Sequence, residues 1–185
     1  MSADVLARAF NSTTQVLNTV QPGDLDKATP CASWKVRDLI NHIVGGSFFF
    51  ATTAETGIAP AQSTDDYASG DFKATYAEGT ARATAAFNAE GAMEKMMKLP
   101  FGEFPGGIFV MIAASDAFTH GWDLAKALGQ STDLDPELAS QLLAASMIPD
   151  EFRGADGVMP FGPKVEASES ACAADRLAAD LGRTP

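Results

Sequence analysis

The chain has 185 residues, 46% hydrophobic and 20% charged, enough to build one domain around a substantial core and too apolar for a disordered chain. Thirteen basic residues against twenty-four acidic ones give a net charge of −11, which repels phosphate backbones and anionic lipid, and no local basic patch offsets it. Nucleic-acid binding and membrane-surface binding are therefore not expected. The most apolar stretch, GGIFVMIAASDAFTHGWDL, carries two acids and a histidine and does not read as a membrane span. MSADVLARAF lacks the basic and apolar regions of a secretion signal, so the expected location is the cytoplasm.

Leu6, Phe10, Leu17 and Val20, with Thr13 between them, follow a four-three-four-three rhythm that predicts an amphipathic helix from Asp4 to Val20, closed by Pro22-Gly23. DLDKATPCAS then reads as a loop, with Ser33 as the N-cap of a second helix running from Trp34 into the fifties. Val36, Leu39, Ile40, Ile43, Val44 and Ser47 form its inward face. Gly45-Gly46 interrupts its middle with a small pair that permits a neighbour to approach closely. Gly57 to Ser69 is polar loop. A third helix is expected from Asp71 to Glu90, with Phe72, Tyr76, Ala83 and Phe87 on one face. Met93 to Gly107 reads as a small hairpin or an irregular crossover.

The fourth helix is predicted from Ile108 to Leu128, with Gly129 just past its end. Asp135 caps a fifth, with Pro136 in its first position, running through Met147. Residues 149–166 form a Pro- and Gly-rich loop, and SESACAADRLAADLG a closing helix. The class is all-α: a four-helix bundle with C-terminal additions in a single domain, residues 1–185.

Asp116 and His120 lie four residues apart on the fourth helix, so both heads reach one side of it. The other histidine, His42, lies at the edge of the second helix's apolar stripe. If those helices are neighbours, His42, Asp116 and His120 supply two imidazoles and a carboxylate to one divalent cation, with positions left for water or substrate. The plainer reading makes Asp116 and His120 an ordinary hydrogen-bonded i,i+4 pair and His42 an unrelated core or surface residue. Asp123 reads first as a solvated helix residue and second as an orienting partner for a ligand imidazole. Trp122 reads as packing. Cys31 and Cys172 read as free structural thiols, since no CxxC pattern exists and Cys31 has no basic neighbour nearer in sequence than Lys27 and Lys35. VGG at 44–46 and PGG at 105–107 match no nucleotide-binding fingerprint.

Three segments, TPCASWKVRDLINHIVGG, SDAFTHGWDLAKALGQ and ADRLAADLGRTP, together resemble the DinB/YfiT-like superfamily. The resemblance is to an actinobacterial branch similar to the N-terminal domain of mycothiol-dependent maleylpyruvate isomerase. It implies an up-down-down-up bundle with a metal triad at one end, the family's ligand positions falling on His42, Asp116 and His120. The isomerase carries Glu where this chain has Asp116, and the shorter arm shifts the ion by about one carbon–carbon bond. The resemblance also implies a zinc or nickel ion and a low-molecular-weight thiol such as mycothiol. The expected activity is then S-transfer from that thiol to a small electrophile. A non-catalytic metal-binding or stress-response module and a metal-assisted hydrolase are the alternatives. Bundles of this kind often expose an apolar helix face, so a homodimer stays open, with no residue fixing its interface.

Overall fold

The structure, a computed structural model, describes residues 3–146, 148–155 and 161–185. It consists of α1 (Asp4–Leu17), α2 (Val36–Thr56), α3 (Phe72–Phe87), strands β1 (Met96–Leu99) and β2 (Gly102–Pro105), α4 (Gly106–Ala127), α5 (Pro136–Ala145) and α6 (Ala173–Asp180). Among the described residues the only sheet is the antiparallel β1–β2 hairpin, so the all-α class holds. Met147, expected at the end of the fifth helix, and residues 156–160 of the expected loop lie outside the described residues.

Side-chain contacts give the direction of each helix. Lys73, at the start of α3, donates to the carbonyls of Asn18 and Val20 beyond the end of α1, so these two run antiparallel. On α2, Asn41 meets the approach to α3 at Asp66 and Ala68, while Glu55 pairs with Arg82 further along α3, so α2 and α3 are parallel. Thr13 of α1 donates to the Ala117 carbonyl of α4, and Thr19 meets Gln130 past its end, so α1 and α4 are parallel. The bundle is up-down-down-up. Two successive parallel helices need a return connection, and residues 57–71 supply it, pinned by the Asn41 amide on the Ala68 N–H at 2.8 Å.

Helix pairs close where one side lacks a Cβ. A Cβ on Gly79 would collide with the Ser47 hydroxyl of α2, and one on Gly121 with Thr13 of α1. These glycines set the α2–α3 and α1–α4 contacts. The Gly45-Gly46 pair works differently: Gly45 faces Tyr67 and Ser63 of the return connection, and Gly46 faces Phe50 and the Asp116 carboxylate. Leu6, Leu39, Ile40, Tyr76, Phe109 and Trp122 are all buried in one continuous core, which Leu138 of α5 and Leu177 of α6 join.

Helices α1 and α3 each end three residues earlier than the sequence reading placed them, at Leu17 and Phe87, and α2, α4 and α6 start elsewhere. First, α2 begins at Val36, because the Lys35 N–H is taken by the Asp38 carboxylate at 2.9 Å; Lys35, not Ser33, is the cap. Trp34 thereby stays outside the helix. Second, α4 starts at Gly106, directly off the hairpin, and not at Ile108. Third, α6 is shorter than SESACAADRLAADLG, since Ser168 and Ser170 hydrogen-bond each other and the Cys172 thiol accepts the Asp175 N–H at the true helix start. The Asp135 cap with Pro136 in the first turn stands as expected, its carboxylate accepting the Leu138 N–H and the Arg8 guanidinium.

Asp180 fastens the end of α6 through Ser146 at 2.7 Å and Lys164 at 2.6 Å. Burial would raise its pKa, but those two partners outweigh burial and hold the carboxyl below its usual 3.8. A carboxylate depressed in the folded state stabilises above the unfolded value, and that contribution is lost as pH falls through the folded one. The melting temperature should therefore drop on acidification below about pH 4. Asp180→Asn should melt earlier than wild type at pH 7 and lose less on acidification, checked by circular dichroism melts across pH.

Candidate metal centre

His42 sits in the second turn of α2, and Asp116 and His120 sit mid-helix on antiparallel α4. The sequence left open whether the two helices adjoin; the structure brings all three side chains together. The Asp116 Oδ1 atom lies 3.5 Å from His42 Nε2 and 3.6 Å from His120 Nε2, and one donor atom from each residue falls within 4.8 Å of the others. Donors about 2.1 Å from a tetrahedral ion are roughly 3.4 Å apart, so two of the three edges already have the required length. The imidazoles meet edge to face, with centroids 4.5 Å apart.

One atom here lacks a partner that burial demands. His42 Nε2 is buried and makes no hydrogen bond among the described residues, the nearest carboxylate oxygen standing 3.5 Å away. A buried nitrogen aimed at a carboxylate and a second imidazole is what a coordinated ion satisfies. The donor types fit as well: two imidazoles and one carboxylate suit a borderline-soft divalent metal such as zinc or nickel. Gly46 leaves room on the α2 side, where a Cβ would lie 3.9 Å from Asp116 Oδ2.

Electrostatics agree with a place for a cation. Burial would raise the Asp116 pKa, but the two imidazoles overcome it and pull the carboxyl down to about 2. Burial would likewise strip the proton from His42, yet the Asp116 charge wins and raises its pKa above the usual 6.5.

Around the three donors the structure adds Trp34 and Arg183, which the sequence did not single out, and Asp123, whose second reading was an orienting partner. Asp123 is fully buried, not solvated as first read, and its Oδ2 lies 2.9 Å from His120 Nδ1. Burial raises its pKa, while the hydrogen bond from His120 and the charge of Arg183 together prevail and keep it ionised. An ionised carboxylate only accepts, so Nδ1 carries a hydrogen toward Asp123, and Nε2 is the nitrogen that faces Asp116. The i,i+3 spacing of His120 and Asp123 was the available signal. Trp34, left outside α2, lies over both imidazoles at 4.9 and 5.7 Å.

Arg183, near the C-terminus, reaches the same Asp123 with Nη2 at 3.1 Å and Nε at 3.3 Å, and approaches the Cys31 thiol at 3.9 Å. No local pattern announces a contact across 152 residues. Cys31 donates to Asp123 at 3.5 Å. Burial first, and the Asp123 charge second, push its pKa up to about 12 despite Arg183, so Cys31 is a protonated thiol and not a nucleophile at neutral pH. Cys172 caps α6, and both cysteines are free. Trp122 is packing: it is buried and donates to Asp175 of α6 at 2.8 Å.

No helix among the described residues is long and apolar enough to cross a membrane. No solved structure matches the chain. Two proteins of Mycobacterium tuberculosis are similar to it, the "Uncharacterized protein Rv0738" of strain ATCC 25618 / H37Rv and the "Uncharacterized protein MT0763" of strain CDC 1551 / Oshkosh. Each is 40% identical over 179 residues, covering 96% of this chain and 94% of theirs. A family model described as the mycothiol maleylpyruvate isomerase N-terminal domain matches residues 6–125, a span that holds His42, Asp116, His120 and Asp123 and stops short of α5, α6 and Arg183. With about two thirds of its length matched, including nearly all of the bundle that surrounds these side chains, the chain belongs to the mycothiol maleylpyruvate isomerase N-terminal domain family.

Proposed function

We propose that the protein binds one divalent metal ion, zinc or nickel, through His42, Asp116 and His120, and uses it to transfer a small-molecule thiol of the mycothiol type onto a small electrophile. The observation that carries this reading is the buried, unpartnered His42 Nε2 converging with Asp116 and His120 at the α2–α4 seam. The family's description supplies the thiol class.

An ion held there would lower the pKa of a bound thiol, so that a thiolate nucleophile is available at neutral pH. The chain's own groups do the positioning. Three protein donors leave coordination positions free for an exogenous ligand. Asp123 fixes the His120 ring, and Trp34 covers one side of both imidazoles. Asp116, a third exposed, marks the open side. Half-buried Ile112, one turn before Asp116, and Phe49, two turns after His42, extend the same helix faces with apolar surface suited to an uncharged electrophile. Cys31 takes no part as nucleophile, its proton being held too firmly.

The test is conjugation of monochlorobimane to mycothiol, bacillithiol or glutathione, with and without added zinc or nickel, in wild type and His42→Ala. Metal-dependent conjugation that the variant loses is the expected result. Tight metal binding with no conjugation across the thiols would instead make the protein a metal-binding module. Ester cleavage without added thiol would make it a hydrolase.

A further inference from the structure

His120 belongs to two groups of metal-type donors. On its Nε2 side are His42 and Asp116; on its Nδ1 side are Cys31 and Asp123, again with one donor atom from each residue within 4.8 Å of the others. A thiolate, an imidazole and a carboxylate would also be a zinc set. The fully buried Asp123 cannot stay charged without a cation beside it. That cation is already present. The Arg183 guanidinium engages both carboxylate oxygens of Asp123 in a two-pronged contact and lies next to the Cys31 sulfur.

We propose that Arg183 is a positioning residue of the metal centre: its guanidinium occupies the cation position between Asp123 and Cys31, and so confines the ion to the side of His42, Asp116 and the Nε2 of His120. This rests on the metal-binding reading above. With Arg183 in place, Asp123 Oδ2 receives His120 Nδ1, the Cys31 thiol and Arg183 Nη2, and Oδ1 receives Arg183 Nε. Oδ2 is thereby filled, and the guanidinium on both oxygens already matches the carboxylate's charge, so an ion gains little there. The guanidinium stays charged at any physiological pH, so protons cannot release it. The same contact keeps Asp123 on Nδ1, which orients the ring and leaves Nε2 as its donor.

The fold delivers this arginine by a defined turn. Gly182, at φ +86°, reverses the chain after α6, and the Arg183 N–H returns to the Ala178 carbonyl at 2.9 Å while the Gly182 N–H returns to Ala179 at 3.0 Å. A Cβ on Gly182 would also lie 2.6 Å from the Gly162 Cα, so only glycine serves there. Arg183 Nη1 donates to the Leu181 carbonyl at 3.1 Å, which sets the plane of the fork. The arginine lies outside the residues 6–125 that match the family.

Titration with Co2+, followed in the visible and near-ultraviolet, tests the assignment. Wild type should bind with d–d bands and no thiolate-to-cobalt charge transfer, and Cys31→Ser should leave that spectrum unaltered. Arg183→Met should weaken binding about 10- to 100-fold and gain a thiolate charge-transfer band that a second change, Cys31→Ser, removes. Arg183→Lys, which keeps the charge, should recover most of the affinity and show no such band. A thiolate band in wild type that Cys31→Ser abolishes overturns the proposal, even if Arg183→Met does not fold. So does Arg183→Met that binds Co2+ like wild type without a thiolate band, while His42→Ala loses it. Wild type that binds no Co2+, or His42→Ala that binds it undiminished, overturns the metal reading itself and this assignment with it.

Discussion

Replacing His42 with alanine should lower zinc or nickel affinity by more than about 100-fold, a larger loss than changing an outer partner of a ligand produces. The melting temperature of the metal-free protein should fall only slightly, by the lost attraction between His42 and Asp116. The two halves of this expectation come from the same observation. His42 lies at the margin of the α2 apolar face, with nearly a third of its side chain exposed, and its buried Nε2 has no hydrogen bond to lose. Removing the ring therefore deletes a donor without opening a core cavity. Isothermal titration with zinc gives the first number, and a denaturation curve in the presence of a chelator gives the second. A metal-loaded wild type should also melt higher than the chelated form, and His42→Ala should lose that increment, because an ion that binds only the folded chain stabilises it.

Trp122→Ala should have the opposite profile. Its indole is 1% exposed and its Nε1 donates to Asp175 at 2.8 Å, the link between α4 and α6. Truncating a buried tryptophan costs about 3–5 kcal/mol. That is a large share of the roughly 5–15 kcal/mol by which a domain is stable. Trp122→Phe keeps most of the apolar area but leaves Asp175 without its indole partner, so a loss of about 1–3 kcal/mol is expected. Urea unfolding of both variants separates the packing contribution from the hydrogen bond. A Trp122→Ala protein as stable as wild type would mean that the indole is not in the core.

Much of the bundle is legible in the chain because helical periodicity is a local signal. The rhythm through Leu6, Phe10 and Leu17 gave α1, and the Asp135-Pro136 pair gave the start of α5. The spacing of Asp116 and His120 put them on one face for the same reason, and residues on one helix need no tertiary information to be related. Where the sequence reading fell short, a competing hydrogen bond or a distant partner decided. Ser33 looked like a cap, but Asp38 took the Lys35 N–H instead and left Trp34 free to cover the imidazoles. Asp123 looked solvated because lone acids on helices usually are; its burial is met by the His120 hydrogen bond and by Arg183, from the other end of the chain. Cys31 looked remote from any basic group for the same reason, since sequence distance hides a guanidinium brought in by a C-terminal turn. Gly79 and Gly121 carried no local mark of the helix crossings they permit.

The central claim is that two imidazoles and one carboxylate hold a single ion between α2 and α4. Anomalous diffraction from wild-type crystals grown with zinc, recorded on both sides of the zinc absorption edge, measures this most directly. One strong anomalous peak within about 2.0–2.2 Å of His42 Nε2, His120 Nε2 and a carboxylate oxygen of Asp116 is the predicted result. An anomalous map with no peak between these side chains, or with its peak against Cys31 and Asp123, would contradict it.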